Sequence, residues 1–162
     1  MRLGIVSDTH GHVQNAQAAV RMLESLEVQA ILHCGDIGTA SIVPLFAAWP
    51  THFVFGNVDS GFAVEELQTA IRQAKQFDHG RFGSLELAGV NIAFLHGDDL
   101  RLLEQTITAG KYQLVCHGHT HMVRHEKIGQ TLVLNPGALY RATPHSIAIV
   151  DLPAIKAEII SI

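Results

Sequence analysis

Apolar residues fall in short runs along this chain, and run after run stops at a polar residue beside a glycine. The β-branched run 2–7 predicts a strand, closed by Asp8-Thr9-His10-Gly11-His12. Ala16, Ala19, Val20, Leu23 and Leu26 then recur at helical spacing, which predicts a helix over 15–26. A second strand at 30–33 is closed by Cys34-Gly35-Asp36. Ser41 is placed to cap a short helix over 41–48, with Pro44 in its first turn, where a missing N–H matters little. A third strand at 51–55 is closed by Gly56-Asn57-Val58-Asp59, and a helix over 64–75 follows, with Glu65 and Glu66 suiting its positive end.

The second half is richer in strands. Ala88-Gly89 marks a hairpin between 84–87 and 90–95, and its second strand runs into His96-Gly97-Asp98-Asp99. A helix over 100–108 ends at Gly110. The apolar run 113–115 reads as a buried strand that stops at Cys116-His117-Gly118-His119-Thr120-His121. A hairpin of 123–128 and 131–134 turns at Gly129-Gln130, Asn135-Pro136-Gly137 is a turn, and strands at 146–152 and 157–162 follow. Strands alternating with helices predict an α/β layered fold. With 162 residues, 48% of them apolar, and no repeat or linker, the expectation is a single domain over 1–162 with one substantial core.

Charge and cysteines narrow the partners. A net charge of −4 without a run of like charges gives no reason to expect a long polyanion. Cys34 and Cys116 are too few for a disulfide framework and read as buried free thiols in a reducing compartment. Met1 leads into a strand instead of a signal peptide, and no apolar stretch is long enough to span a bilayer. The expectation is a soluble, cytoplasmic protein without a membrane partner; self-association is left open.

The chemistry lies where the strands end. Five of them finish at Asp8/His10, Asp36, Asn57, His96 and His119/His121, each close to a glycine that lets the backbone turn sharply. In open α/β sheets ligands gather outside the carboxyl ends of strands, so strands sharing an edge would bring these seven donors together. Seven donors are too many for one tetrahedral zinc and suit two divalent ions that share a carboxylate. Carboxylate, imidazole and amide oxygen suit manganese, placed first, or zinc, iron or nickel. Two such ions beside Asp8 and Asp36 leave a positive surplus, which favours an anionic group such as a phosphate ester.

The ordered set Asp8-Thr9-His10, Gly35-Asp36, Gly56-Asn57-Val58-Asp59, His96-Gly97 and Gly118-His119-Thr120-His121 resembles the calcineurin-like metallophosphoesterase superfamily. The compact chain and Asn135-Pro136-Gly137-Ala138 are similar to its small prokaryotic phosphodiesterase branch. The resemblance implies a two-sheet β-sandwich flanked by helices and two ions bridged by Asp36. By position it implies that Asp8, His10 and His121 complete one ion's shell, and Asn57, His96 and His119 the other's. It further implies hydrolysis of a small or terminal phosphodiester by attack of a metal-bound hydroxide.

One departure stands out. Relatives carry a histidine after the asparagine of the third motif, where this chain has Val58, which donates no proton. That predicts slower turnover or a preference for leaving groups that depart unprotonated. Asp59 reads as a residue that orients its neighbours through hydrogen bonds. Asp98 replaces another histidine of the relatives, with its effect open. His52, His79, His125 and His145 read as solvent-facing or locally bonded, and His33 and His117 as facing away from the rim. Asn135 reads as a turn residue, His12 as a loop residue and Arg141 as a solvated cation or a phosphate contact. Two other functions compete: a metal-pocket scaffold for partner proteins, like the retromer subunit that shares this resemblance, and a nuclease on longer nucleic acid, which the lack of a basic stripe disfavours.

Overall fold

A computed structural model describes residues 1–162. Strands and helices follow in the order β1 (Arg2–Val6), α1 (Val13–Ser25), β2 (Ala30–His33), a 3-10 helix (Ala40–Phe46), β3 (Thr51–Phe53), α2 (Phe62–Gln73) and β4 (Phe77–Asp78). The second half supplies β5 (Phe82–Leu87), β6 (Val90–Leu95), α3 (Leu100–Thr108), β7 (Leu114–Cys116), β8 (Arg124–Ile128), β9 (Thr131–Asn135), β10 (Ser146–Asp151) and β11 (Lys156–Ser161). They build two sheets, ordered β11-β10-β1-β2-β3-β4 and β5-β6-β7-β9-β8.

Alternation of side chains along each strand divides the apolar residues among three cores. Leu3, Ile5, Leu32, Val54, Ile92, Phe94, Leu114 and Leu134 meet between the sheets. Their neighbours one residue away, Val6, Ile31 and Phe53, face the other way onto α1, the 3-10 helix and α2 through Ala16, Leu23, Phe46 and Leu67. Ala93, Leu95, Val115 and Val133 face Leu103 and Ile107 of α3. The result is helix, sheet, sheet, helix: the two-sheet sandwich flanked by helices. No helix is long and apolar enough to cross a membrane.

Three local differences from the sequence reading have physical causes. The segment at 41–48 is a 3-10 helix capped at Thr39, not Ser41; Pro44 lies inside it and can donate no backbone hydrogen bond. Helix α2 starts at Phe62, earlier than the spacing suggests, because Gly61 at φ +59° turns the chain into it. The two-residue β4, parallel to β3 through His52–Phe77 and Phe53–Asp78, is too short to leave a periodic signature.

Topology decides where the polar strand ends go. In the first sheet β1, β2 and β3 are mutually parallel, and in the second β6 is parallel to β7. Both groups end on the same side of the sandwich. The five strands therefore converge across the junction of two sheets instead of along one sheet edge.

Candidate metal centre

The rim loops are joined to one another by main-chain bonds. Asp8 N donates to Gly35 O at 3.0 Å, His10 N to Asp36 O at 2.9 Å and Gly11 N to Ile37 O at 2.8 Å, so the loops after β1 and β2 run on as a pair. Gly118 N donates to His96 O at 2.9 Å, joining the loops after β6 and β7. Two contacts cross between sheets: His119 N donates to Asp8 Oδ2 at 3.1 Å, and His96 Nδ1 meets Cys34 O at 2.8 Å.

Inside this frame the carboxylates and imidazoles face one another. Asp36 Oδ2 lies 3.4 Å from His10 Nε2 and 3.2 Å from His96 Nε2. Asp8 Oδ1 lies 3.2 Å from His121 Nε2 and 3.8 Å from His10 Nε2. Donor atoms of Asp8, His10 and His121 lie within 4.8 Å of one another, as do those of Asp8, Asp36 and His96. The backbone had to come close for this. A methyl group on Gly118 would strike Ser7 Oγ and lie 2.6 Å from Asp8 Oδ2, and one on Gly56 would strike Asp36 Oδ1.

The main chain is also held in an uncommon conformation there. Asp8 (φ 55°), His10 (φ 43°), Asp36 (φ 52°), His119 (φ 70°) and His121 (φ 58°) all occupy the left-handed region, which side chains other than glycine's disfavour. Residues kept so concentrate where function requires a fixed geometry.

Several features fit the cluster to a divalent cation. Asp8 Oδ2 accepts from Ser7 Oγ at 2.6 Å and from His119 N, while its Oδ1 is buried without a hydrogen bond. His96 has its Nδ1 against the Cys34 carbonyl, which fixes the proton on that nitrogen and leaves a lone pair on Nε2. That Nε2 is buried and, despite its nearness to Asp36, has no aligned hydrogen bond. Burial opposes charging of His96, yet Asp36 and Asp8 outweigh it and raise its pKa above the ordinary value. Burial likewise opposes ionisation of Asp36, yet His96, the Val58 amide and His10 bring its pKa below the usual carboxylate range. The pocket demands positive charge, and a divalent cation supplies it without a proton.

The remaining candidates take different places. His119 is exposed, with its ring centroid 5.1 Å from that of His96. Asn57 is exposed and free of side-chain hydrogen bonds, next to Val58, whose N donates to Asp36 Oδ1 at 3.0 Å. Asp59 is buried and accepts from Ile37 N, Gly56 N and Gly38 N at 3.0, 3.0 and 2.8 Å, bracing the loops that hold Asp36 and Asn57. Burial raises its pKa against those three donors. Asp98 pairs with Arg81, whose Nη1 also donates to Gly56 O at 3.0 Å.

Asn135 corrects the sequence reading. It is fully buried and more than a turn residue: Nδ2 donates to Gly118 O at 2.8 Å and Thr120 Oγ1 at 3.2 Å, and Oδ1 accepts from Gly137 N at 2.9 Å. The one available signal was its place directly after the apolar run Leu132-Val133-Leu134. His33 lies outside the ligand cluster, stacked on Phe53 at 5.5 Å, but it is not turned wholly away from the rim: its Nε2 meets Thr9 Oγ1 of the first rim loop at 3.0 Å. Burial pushes its pKa down to about 3. His117 is buried too, and burial lowers it to about 4. His52 and His79 bond each other at 2.9 Å.

A helix-flanked double sheet that gathers aspartates and histidines where its strands end defines a metal-dependent phosphoesterase. The chain belongs to the calcineurin-like phosphoesterase superfamily, whose domain model matches residues 1–154. It is 31% identical over 140 residues to the phosphodiesterase MJ0936 of Methanocaldococcus jannaschii, covering 85% of this chain and 83% of that one. A solved archaeal phosphodiesterase superposes with a TM-score of 0.91 at 28% identity over the whole of both chains. Vps29 from Entamoeba histolytica shares the fold alone, with a TM-score of 0.69 at 15% identity over 100% of this chain and 99% of its own.

Proposed function

We propose that this chain is a binuclear phosphodiesterase acting on a small or terminal phosphodiester, with Asp36 as the carboxylate shared by two divalent ions. Asp8, His10 and His121 hold one ion, and Asn57, His96 and His119 the other; manganese is the first candidate, before zinc, iron or nickel. The observation that carries this reading is the position of Asp36 Oδ2, within 3.4 Å of His10 Nε2 on one side and 3.2 Å of His96 Nε2 on the other. The name of the Methanocaldococcus relative supports the diester over the monoester. A net charge of −4 supports a small substrate over a long polyanion.

When bound, the cations supply Lewis acidity toward the phosphoryl oxygens and lower the pKa of the attacking water. The chain's own residues set the geometry. Ser7 and the His119 amide turn Asp8 so that Oδ1 faces the pocket, and the Cys34 carbonyl turns the His96 ring so that Nε2 does. Val58, beside the pocket and 41% exposed, has no proton for the departing oxygen. Esters of weakly basic alcohols or phenols are therefore the better substrates.

The test pairs metal analysis with hydrolysis of bis(4-nitrophenyl) phosphate, for the native chain and for Asp36→Asn and His119→Ala. The expected result is close to two ions per chain, activity lost with a chelator and restored by manganese, and collapse in both variants. Turnover that survives both substitutions overturns the reading. Tight metal binding without turnover on any ester would favour the partner-binding scaffold, the second reading that Val58 supports.

A further inference from the structure

The segment between β9 and β10 lies against the first rim loop. Leu139 N donates to Ser7 O at 3.2 Å, and Leu139 O accepts from Asn15 Nδ2 of α1 at 2.6 Å. Leu139 is fully buried, so the two residues after it emerge at a fixed point beside Asp8 and His10. The half-buried Tyr140 places its ring 5.1 Å from the ring of His10 and 5.5 Å from that of His12. Arg141 turns back at φ +48° and sets its guanidinium carbon 5.1 Å from the Tyr140 centroid, within cation–π range.

That guanidinium is exposed and uncommitted. The guanidinium–carboxylate pairs of the chain are Arg2–Asp151, Arg81–Asp98 and Arg124–Glu126; Arg141 is in none and makes no side-chain hydrogen bond. It makes no polar contact with the carboxylate–imidazole cluster either, and adjoins it only through Tyr140. Lying on the ring limits the rotamers of the arginine and is modestly favourable at an exposed site. Here a left-handed backbone and an aromatic face hold five N–H donors at the mouth of a phosphoester site. The planar fork of donors matches phosphate in two-point fashion.

We infer that Arg141, set by Tyr140, binds a second phosphate of the substrate, carried on one ester arm of the phosphodiester that is cleaved. The inference rests on the phosphodiesterase reading above and narrows its substrate class to phosphodiesters bearing a further phosphate. The scissile group occupies the Asp8–Asp36 pocket, and the further phosphate lies on the His10 side, where His12 also faces solvent. Arg141 is a specificity residue in this scheme; it takes no part in bond breaking.

Binding and turnover test it separately. By calorimetry on the manganese-loaded protein, thymidine 3′,5′-bisphosphate is expected to bind about tenfold more tightly than thymidine 3′-phosphate, the effect of one charge-assisted contact. Arg141→Ala removes that preference, and Arg141→Lys, a point charge without the fork, keeps part of it. In turnover, the 5′-phosphorylated dinucleotide pTpT is favoured over TpT by the native chain and not by Arg141→Ala. A native protein that binds both nucleotides equally, a preference that persists in Arg141→Ala, or an equal loss of both ligands in that variant overturns the assignment. Bis(4-nitrophenyl) phosphate, which has no second phosphate, separates the two ideas. Its failure to react with the native chain removes the phosphodiesterase reading, while the nucleotide affinities decide Arg141 by themselves.

Discussion

The side-chain amide of Asn135 donates to the carbonyl of Gly118 at 2.8 Å, tying the end of β9 to the loop that presents His119 and His121. Asn135→Ala leaves the buried Gly137 amide without its acceptor and takes one donor from the Gly118 carbonyl, which keeps the Thr120 amide. The expected outcome is a loss of about 1–3 kcal/mol in urea unfolding of the metal-free protein. Metal affinity, read by calorimetric titration, should fall about 10–100-fold, the usual effect of removing a group that orients ligands. Unchanged metal affinity would show that the loop holds its shape without Asn135.

Gly118 itself is a second test. Because a methyl group there would meet Ser7 Oγ and Asp8 Oδ2, Gly118→Ala must push Asp8 or its own loop away. Overpacking of this kind destabilises by about 1–3 kcal/mol. The larger effect is expected on function: hydrolysis of bis(4-nitrophenyl) phosphate should fall about a hundredfold or more, as a 1 Å misplacement does. Gly110, where an added methyl meets nothing within 4 Å, provides a comparison for the effect of packing. Gly110→Ala is expected to lose stability to backbone strain at φ +67° while activity is retained.

Val58→His restores a proton donor at an exposed position whose backbone already bonds Asp36. For alkyl phosphodiesters, whose leaving groups need protonation, kcat should rise about a hundredfold. Nitrophenyl esters, which depart without a proton, should change little. An equal change for both classes would show that residue 58 does not face the leaving group.

The buried histidines set an acid limit on the fold. His33 and His117 have folded pKa values lowered by burial to about 3 and about 4, against an ordinary 6.5. Below pH 6.5 the unfolded chain binds protons that the folded one refuses, so stability is fully present above that pH and is lost as the pH falls toward 4 and then 3. Each histidine contributes up to about 1.4 kcal/mol per pH unit within its window. Urea unfolding of the metal-free protein between pH 7 and 4.5 measures the slope, and His33→Gln should make it shallower. A slope unaffected by that substitution would place the acid sensitivity elsewhere.

Much of this was legible in the chain itself because the relevant signals are local. A run such as Ile31-Leu32 ending at Gly35-Asp36 announces both a buried strand and a polar rim residue, and the helical spacing of α1 is equally plain. What escaped depends on partners far away in sequence. Two sheets were implied by the resemblance, but which of the five strands joins which sheet follows from pairings such as β1 with β10, separated by most of the chain. Asn135 has the outward form of a turn former, and only the approach of Gly118 and Thr120 gives it a second task. The left-handed conformation at Asp8, Asp36 and His121 is invisible too, since aspartate and histidine carry no obligation to adopt it.

That conformation has an evolutionary consequence. Positions at positive φ favour glycine, asparagine, aspartate and histidine, and three of these are also good donors to a cation. The backbone thus biases drift at these positions toward residues from which ion binding is easily regained after it is lost. A descendant of this fold that gave up turnover could keep its socket for a long time with no selection on catalysis at all.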